Sequence, residues 1–262
     1  MGSIFENRYF HQKERYIDPK SDFANQGLDI TELDIGDTCL VVFSAHIYDV
    51  ALKMIDCKEN KIHWPYKTTD LKCYTTKSGK TFSVHFPAYG SPRIANSLEI
   101  LAALGVKKVY GLGLGGTPQK HLHIGDIVLV EGSVRGDGAS RYYAPIEYPA
   151  ISDLEMITKI RNVLLQNNVP HNTGLSFSTD AFYQETKELA QLLRQLHVLI
   201  IDMESSAFLT IGRRLGLRCS WSGVVSDRLV HESLEGTAHS ENVTTELVAL
   251  AQYILRIIQQ GE

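Results

Sequence analysis

Ile94-Ala-Asn-Ser-Leu-Glu-Ile-Leu-Ala-Ala-Leu-Gly-Val-Lys-Lys-Val-Tyr-Gly-Leu-Gly-Leu-Gly-Gly116 decides the architecture. Its first half sets Ile94, Leu98, Leu101 and Ala102 on one helical face, and Gly105 is a natural C-terminal stop. Val106–Leu112 then reads as a strand that ends in the glycine run Gly111–Gly116. A helix that delivers straight into a buried strand is half of a repeating α/β unit.

The same alternation extends outward on both sides. Upstream, Cys39–Phe43 is a compact apolar run read as a fully buried first strand, and Val50, Ala51, Met54 and Ile55 mark a short helix. The turn Lys77-Ser-Gly-Lys80 leads into a second strand, Thr81–Phe86. Downstream, Ile127–Val130, Leu175–Ser178, Val198–Ile201 and Ser222–Val225 read as strands. Ile151–Leu165, Met203–Leu215 and Val243–Ile258 read as helices. Strands separated by helices predict an α/β fold in three layers, α/β/α, around a largely parallel or mixed central sheet. No repeat or linker divides it, so residues 37–262 are expected to form one domain, with residues 1–36 an N-terminal arm and loops.

At 44% hydrophobic, 262 residues can bury a sizeable core without staples. A net charge of −4 offers no general attraction for nucleic acid or an anionic membrane, so an anionic ligand has to be caught locally. The four cysteines lie far apart with no paired spacing, which predicts neither a disulfide framework nor a zinc site and fits a reducing cytoplasm. No apolar run reaches a membrane span, no signal-type segment is read at the start, and no metal cluster or cofactor fingerprint is visible.

Ligands of parallel sheets bind at the carboxyl ends of strands, and four such ends carry unusual residues. The glycine run permits close backbone approach, yet it lacks the Lys-Ser/Thr of a phosphate loop and equally reads as a tight strand exit. Phe182, in Ser178-Thr-Asp-Ala-Phe-Tyr183, can stack a planar ring or belong to the core. Asp202 and Glu204, in Ile201-Asp-Met-Glu-Ser-Ser206, can face a ligand or merely complement a helix dipole. Asp227, ending Val224-Val-Ser-Asp227, can be a catalytic acid or a cap.

In order and spacing these segments resemble the nucleoside phosphorylase superfamily of uridine phosphorylases, purine nucleoside phosphorylases and methylthioadenosine nucleosidases. The most specific stretch, Gly125-Asp-Ile-Val-Leu-Val-Glu-Gly-Ser-Val-Arg-Gly-Asp-Gly-Ala-Ser140 with Tyr142–Ala150, is closest to uridine phosphorylase-like members. Gly90-Ser-Pro92 and Asp-Met-Glu-Ser are also similar to family motifs, and the resemblance covers about residues 38–260.

The resemblance implies cleavage of the N-glycosidic bond of a nucleoside through an oxocarbenium-like sugar. Glu204 is then the catalytic carboxylate that accepts from the ribose hydroxyls, Met203 packs the sugar, Phe182 stacks the base, and Asp227 donates a proton to the leaving base. It also implies a homo-oligomer whose neighbouring subunits complete each site, a role in nucleoside salvage, and no cofactor, with phosphate as a possible co-substrate.

The chain departs from the family where phosphate is held. The family's G-D-P-x-R element falls on Ser44-Ala-His-Ile-Tyr48, and its arginine and threonine around the glycine run fall on Gly111 and Leu114. The neighbour-subunit arginine is matched by nothing nearer than Lys67 or Lys72. A replacement phosphate or water site would draw on Gly113, Gly115, Gly116, His46 or Arg93, with His85 and Arg135 as further candidates. Hydrolysis to free ribose therefore stands beside phosphorolysis, and a nucleoside-binding pseudoenzyme is the alternative. The glutamine–arginine pair of uracil recognition has no match in Gln184–Glu188, which leans the expected base toward a purine.

Overall fold

Strands that are apolar on both faces need helices above and below them. A computed structural model of the chain, which describes residues 15–230, 234–238 and 240–260, shows how they are supplied. The helices are α1 (Pro19–Asn25), α2 (Ala45–Lys53), α3 (Ser91–Ala103), α4 (Leu154–Gln166), α5 (Lys187–Gln195), α6 (Ser205–Arg214) and α7 (Glu241–Gln260). The strands are β1 (Thr38–Val42), β2 (Lys58–Asn60), β3 (Asp70–Thr75), β4 (Thr81–Phe86), β5 (Lys108–Thr117), β6 (Ile127–Gly136), β7 (Ala150–Ile151), β8 (Asn172–Thr179), β9 (Val198–Asp202), β10 (Arg218–Arg228) and β11 (Glu235–Gly236).

One mixed sheet joins all the strands. Its order is β11-β10-β6-β8-β9-β5-β1-β4-β3-β2, and an extra β10–β5 pairing bends half of it into a closed ring. β1 pairs in parallel with β4 and β5, β5 with β10, and β8 with β6 and β9, whereas β10–β6 and β3–β4 are antiparallel. Helices α2, α4 and α7 pack on one side, around Ile47, Met156, Leu247 and Ile254. Helices α3 and α6 pack on the other, around Leu98, Phe208 and Trp221. The three-layer α/β/α architecture is the expected one.

Several element limits depart from the sequence reading. The glycine run is not a strand exit, because β5 continues through it to Thr117. α4 starts at Leu154, where the Asp153 side chain caps the Met156 N–H at 3.0 Å, and Ala150–Ile151 instead pairs with β6. α6 starts only at Ser205, which leaves Glu204 at the cap position. Strand β3 and helix α5 went unread. Within the stretch expected as arm and loops, α1 is capped by Asp18 and buries Phe23 against Trp64 and Tyr66. Residues 1–14 of that stretch lie outside the described residues.

The glycines of β5 are there for space. A Cβ on Gly111 or Gly113 would lie 2.9 or 2.6 Å from the fully buried indole of Trp221. One on Gly115 would overlap the Ile201 carbonyl oxygen, beside the point where β5 meets β9. Backbone cannot swing away as a flexible side chain can, so Gly115→Ala is expected to cost at least the roughly 1–3 kcal/mol of an overpacked core. Thermal melts check this: the variant should unfold many degrees below the wild type or fail to accumulate, and an unchanged Tm removes this packing argument.

Candidate active site

The carboxyl ends of β1, β4, β5, β9 and β10 and the segment after β8 open on one cavity of about 680 Å³. From β1 come Phe43 and the first residues of α2, Ser44 to His46. From β5 come Leu114, Gly115 and Gly116. The segment after β8 supplies Phe182 and Glu185, β9 supplies Ile201 to Glu204, and β10 supplies Ser226 and Asp227. Phe182, the adjacent pair Met203 and Glu204, and Asp227, drawn from three separate segments, therefore share one space.

Glu204 is held from two sides. Its Oε1 accepts the Gly90 N–H at 2.7 Å, and Gly90 takes φ 93°, a left-handed value that favours glycine. Burial, with the nearby charge of Asp202, lifts its carboxyl to about 8. Asp202 builds the turn that aims Glu204: its Oδ1 accepts the N–H groups of Glu204 and Ser205 at 2.8 Å and the Ser178 hydroxyl at 2.7 Å. Burial pushes Asp202 up as well. Asp202 therefore does cap the start of α6, as a helix-end acid would, whereas the Glu204 carboxyl makes no cap hydrogen bond to α6 and is held by Gly90 instead.

Asp227 owes its place to an irregularity. The β10–β5 register shifts between Val225 and Asp227, and a strand bulge of this kind re-aims the following side chain. Gly116 makes room for it, since a Cβ there would lie 2.5 Å from Asp227 Oδ1. The Ser226 hydroxyl donates to Asp227 Oδ2 at 2.6 Å, and burial raises the carboxyl above its ordinary value. Phe182 is half exposed and packs edge-on against Tyr183, so it is a rim residue and not core.

The expected anion site is only partly assembled. Gly115, Gly116 and the exposed His46 line the cavity, but Gly113 does not, because the indole of Trp221 fills the space beside it. Arg93 faces a different cleft, with Trp64 and Tyr66, where it donates to Thr68 at 3.3 Å. His85 is fully buried between the Asp70 carbonyl and Ser97 Oγ, and burial depresses its imidazole to about 4. Arg135 is spent on structure: it donates to Ser140 Oγ and to the carbonyls of Ala144, Pro145 and Tyr148. Asp137 accepts from Ser140 and Ser206, so Arg135-Gly-Asp137 is scaffold for the loop after β6.

Sequence reasoning missed Glu185 altogether. It lies beyond Phe182 in a segment with no periodic pattern, and burial with the charges of Asp227 and Asp202 lifts it to about 7. The only legible signal was its place three residues after a candidate stacking aromatic at a strand end.

A sequence model of the phosphorylase superfamily matches residues 41–259. The chain belongs to that superfamily. It is similar to the uridine phosphorylase of Haemophilus influenzae, with 32% identity over 59% of this chain and 68% of that one. It is also similar to the guanosine phosphorylase of Halorubrum lacusprofundi, with 27% identity over 68% and 74%. The uridine phosphorylase of Vibrio fischeri, solved with 6-hydroxy-1-naphthoic acid, superposes with a TM-score of 0.74 at 23% identity, covering 86% of this chain and 92% of that one. Among the described residues, no helix is long and apolar enough to cross a membrane, and no group of three side chains could hold a metal ion.

Proposed function

We propose that the chain cleaves the N-glycosidic bond of a nucleoside. The observation that carries this reading is Glu204: a buried carboxyl, fixed by the Gly90 N–H, inside a cavity that also presents Met203, Phe182 and Asp227. Loss of the base leaves positive charge on the sugar. A carboxylate held without solvent around it stabilises that charge more than water does. Asp227, with its carboxyl raised by burial, supplies the proton that the departing base nitrogen takes up as the C–N bond breaks. Phe182 at the rim covers one face of the base.

Superfamily relatives bearing phosphorylase names support phosphorolysis, in which phosphate oxygen bonds to the anomeric carbon and ribose 1-phosphate forms. One observation favours hydrolysis as a second reading: among the described residues that line the cavity there is no lysine or arginine. A phosphate dianion normally needs charge-assisted donors, and here the cavity offers His46 at the start of α2 and the backbone near Gly115 and Gly116. The protein is then expected to release base without phosphate, or only at unusually high phosphate.

Incubation with a nucleoside panel, with and without phosphate, followed by chromatography of base and sugar products, tests both statements. Release of free base supports the enzyme, and nucleoside binding without release makes it a pseudoenzyme. Tight, saturable phosphate dependence with ribose 1-phosphate as the sole sugar product would rule out the hydrolytic reading. It would assign the clamp to a cation from elsewhere, such as Lys67 of a second copy.

A further inference from the structure

Three carboxyl groups besides Glu204 reach the same cavity: Asp202 closing β9, Asp227 near the end of β10, and Glu185 after β8. Between them they offer acceptors in excess. Asp202 is 4% exposed, and its Oδ2 has no hydrogen-bond partner among the described residues although Oδ1 has three. Asp227 receives a side-chain hydrogen bond from Ser226. No described residue donates to the Glu185 carboxyl, and its surroundings include two further acids.

Oxygen acceptors without donors state what a ligand must bring. Much of the remaining wall is apolar, with Phe43, Phe86, Leu114 and Phe182, although Ser44, His46, Tyr89, Ser226 and Thr237 also line the cavity. A base edge made of carbonyl oxygens would set lone pairs against lone pairs in a poorly solvated space. A base edge that carries N–H hydrogens would fill the vacant acceptors. Of the three acids, Asp202 is committed to the turn that aims Glu204, and Asp227 is the proton donor of the proposed reaction. Among the described residues nothing donates to Glu185, and it follows Phe182 closely at the rim.

The geometry points to Glu185 as the residue that selects the base, and to purines bearing an exocyclic amino group as the class it accepts. This rests on the reading of the cavity as a nucleoside-cleaving site. A carboxyl in this position suits such bases in either protonation state. Ionised, it accepts from two adjacent N–H groups. Protonated, it donates to a ring nitrogen while accepting from the amino group. The lift toward neutrality described above keeps both states within reach. Sites built to hydrogen-bond a donor reject analogues lacking it far more strongly than apolar pockets reject a shape change.

The test compares adenosine, guanosine, inosine and uridine on the wild type, Glu185→Gln and Glu185→Ala, with kcat and KM measured separately and each fold checked by melting. At least one amino-bearing purine nucleoside is expected to exceed inosine and uridine by about tenfold or more in kcat/KM. Both variants should collapse that preference to within about threefold, mainly through KM. A general structural role for Glu185 would slow all four substrates together and leave the ratios alone. Unchanged ratios in the variants, or a wild type that prefers uridine or inosine, overturn the inference even though the cleavage reading survives. If nothing is cleaved, the same four nucleosides are titrated calorimetrically. A preference for the amino-bearing ones that Glu185→Gln abolishes then upholds the inference while the cleavage reading falls, and no preference overturns it.

Discussion

Glu204→Gln is expected to lower kcat on the best nucleoside by about a hundredfold or more, the scale seen when a positioned electrostatic group is removed from an active site. Glutamine keeps the volume, and its amide oxygen can still accept the Gly90 N–H that Glu204 accepts at 2.7 Å. What it loses is the negative charge aimed at the sugar. The effect therefore belongs in kcat, with substrate affinity changed less.

The pH dependence carries its own sign. Burial and the neighbouring Asp202 hold Glu204 near 8, so its charged form is scarce in the free protein at pH 7 and gains as pH rises. Wild-type kcat/KM should climb through this range, and the residual rate of the variant should not follow it. Stability runs the other way. The folded state favours the protonated carboxyl, so this contribution is fully present below about 4.5 and is lost as pH rises to about 8. Glutamine removes the penalty, and the variant should melt at or above the wild-type temperature at pH 8–9. Near-normal turnover by Glu204→Gln would place Glu204 outside the chemistry.

Asp227→Asn is expected to separate substrates by their leaving groups. A purine departs poorly unless a ring nitrogen is protonated, and general acids commonly contribute about 10²–10⁴-fold. Burial raises the Asp227 carboxyl, which favours the proton-bearing form that can donate. Asparagine keeps the shape beside Gly116 and the Ser226 hydroxyl but has no acidic proton to give. Purine nucleosides should slow by about a hundredfold. A nucleoside analogue with an activated leaving group should slow by less than about tenfold, because it needs little protonation. Equal losses on both would show that Asp227 serves binding or the fold of β10 and not proton transfer.

Part of the site could be read from local sequence because strand ends are local features. Glu204, Phe182 and Asp227 each follow an apolar run, and a parallel sheet gathers such ends on one side. The same reasoning cannot say where a lone basic residue points. Arg93, His85 and Arg135 were all reasonable anion ligands in sequence, yet one faces a second cleft and two are consumed by buried hydrogen bonds. Glu185 was missed for the complementary reason. Its position depends on how the segment after β8 folds back toward β10, and no periodicity encodes that.

Hydrophobic periodicity and glycine stops by themselves determined the alternation of helices and strands, and with it the three-layer α/β/α class, because both report on a segment's own two faces. Only the tertiary structure decided that β5 runs through its glycines to admit Trp221 and the Asp227 carboxylate, and that half the sheet closes on itself. It also decided that the bulge before Asp227 turns this acid into the cavity shared with Glu204 and Glu185. Each of these depends on strand register and on what lies across a contact. A sequence pattern records that a residue is buried, but not which distant residue it is buried against.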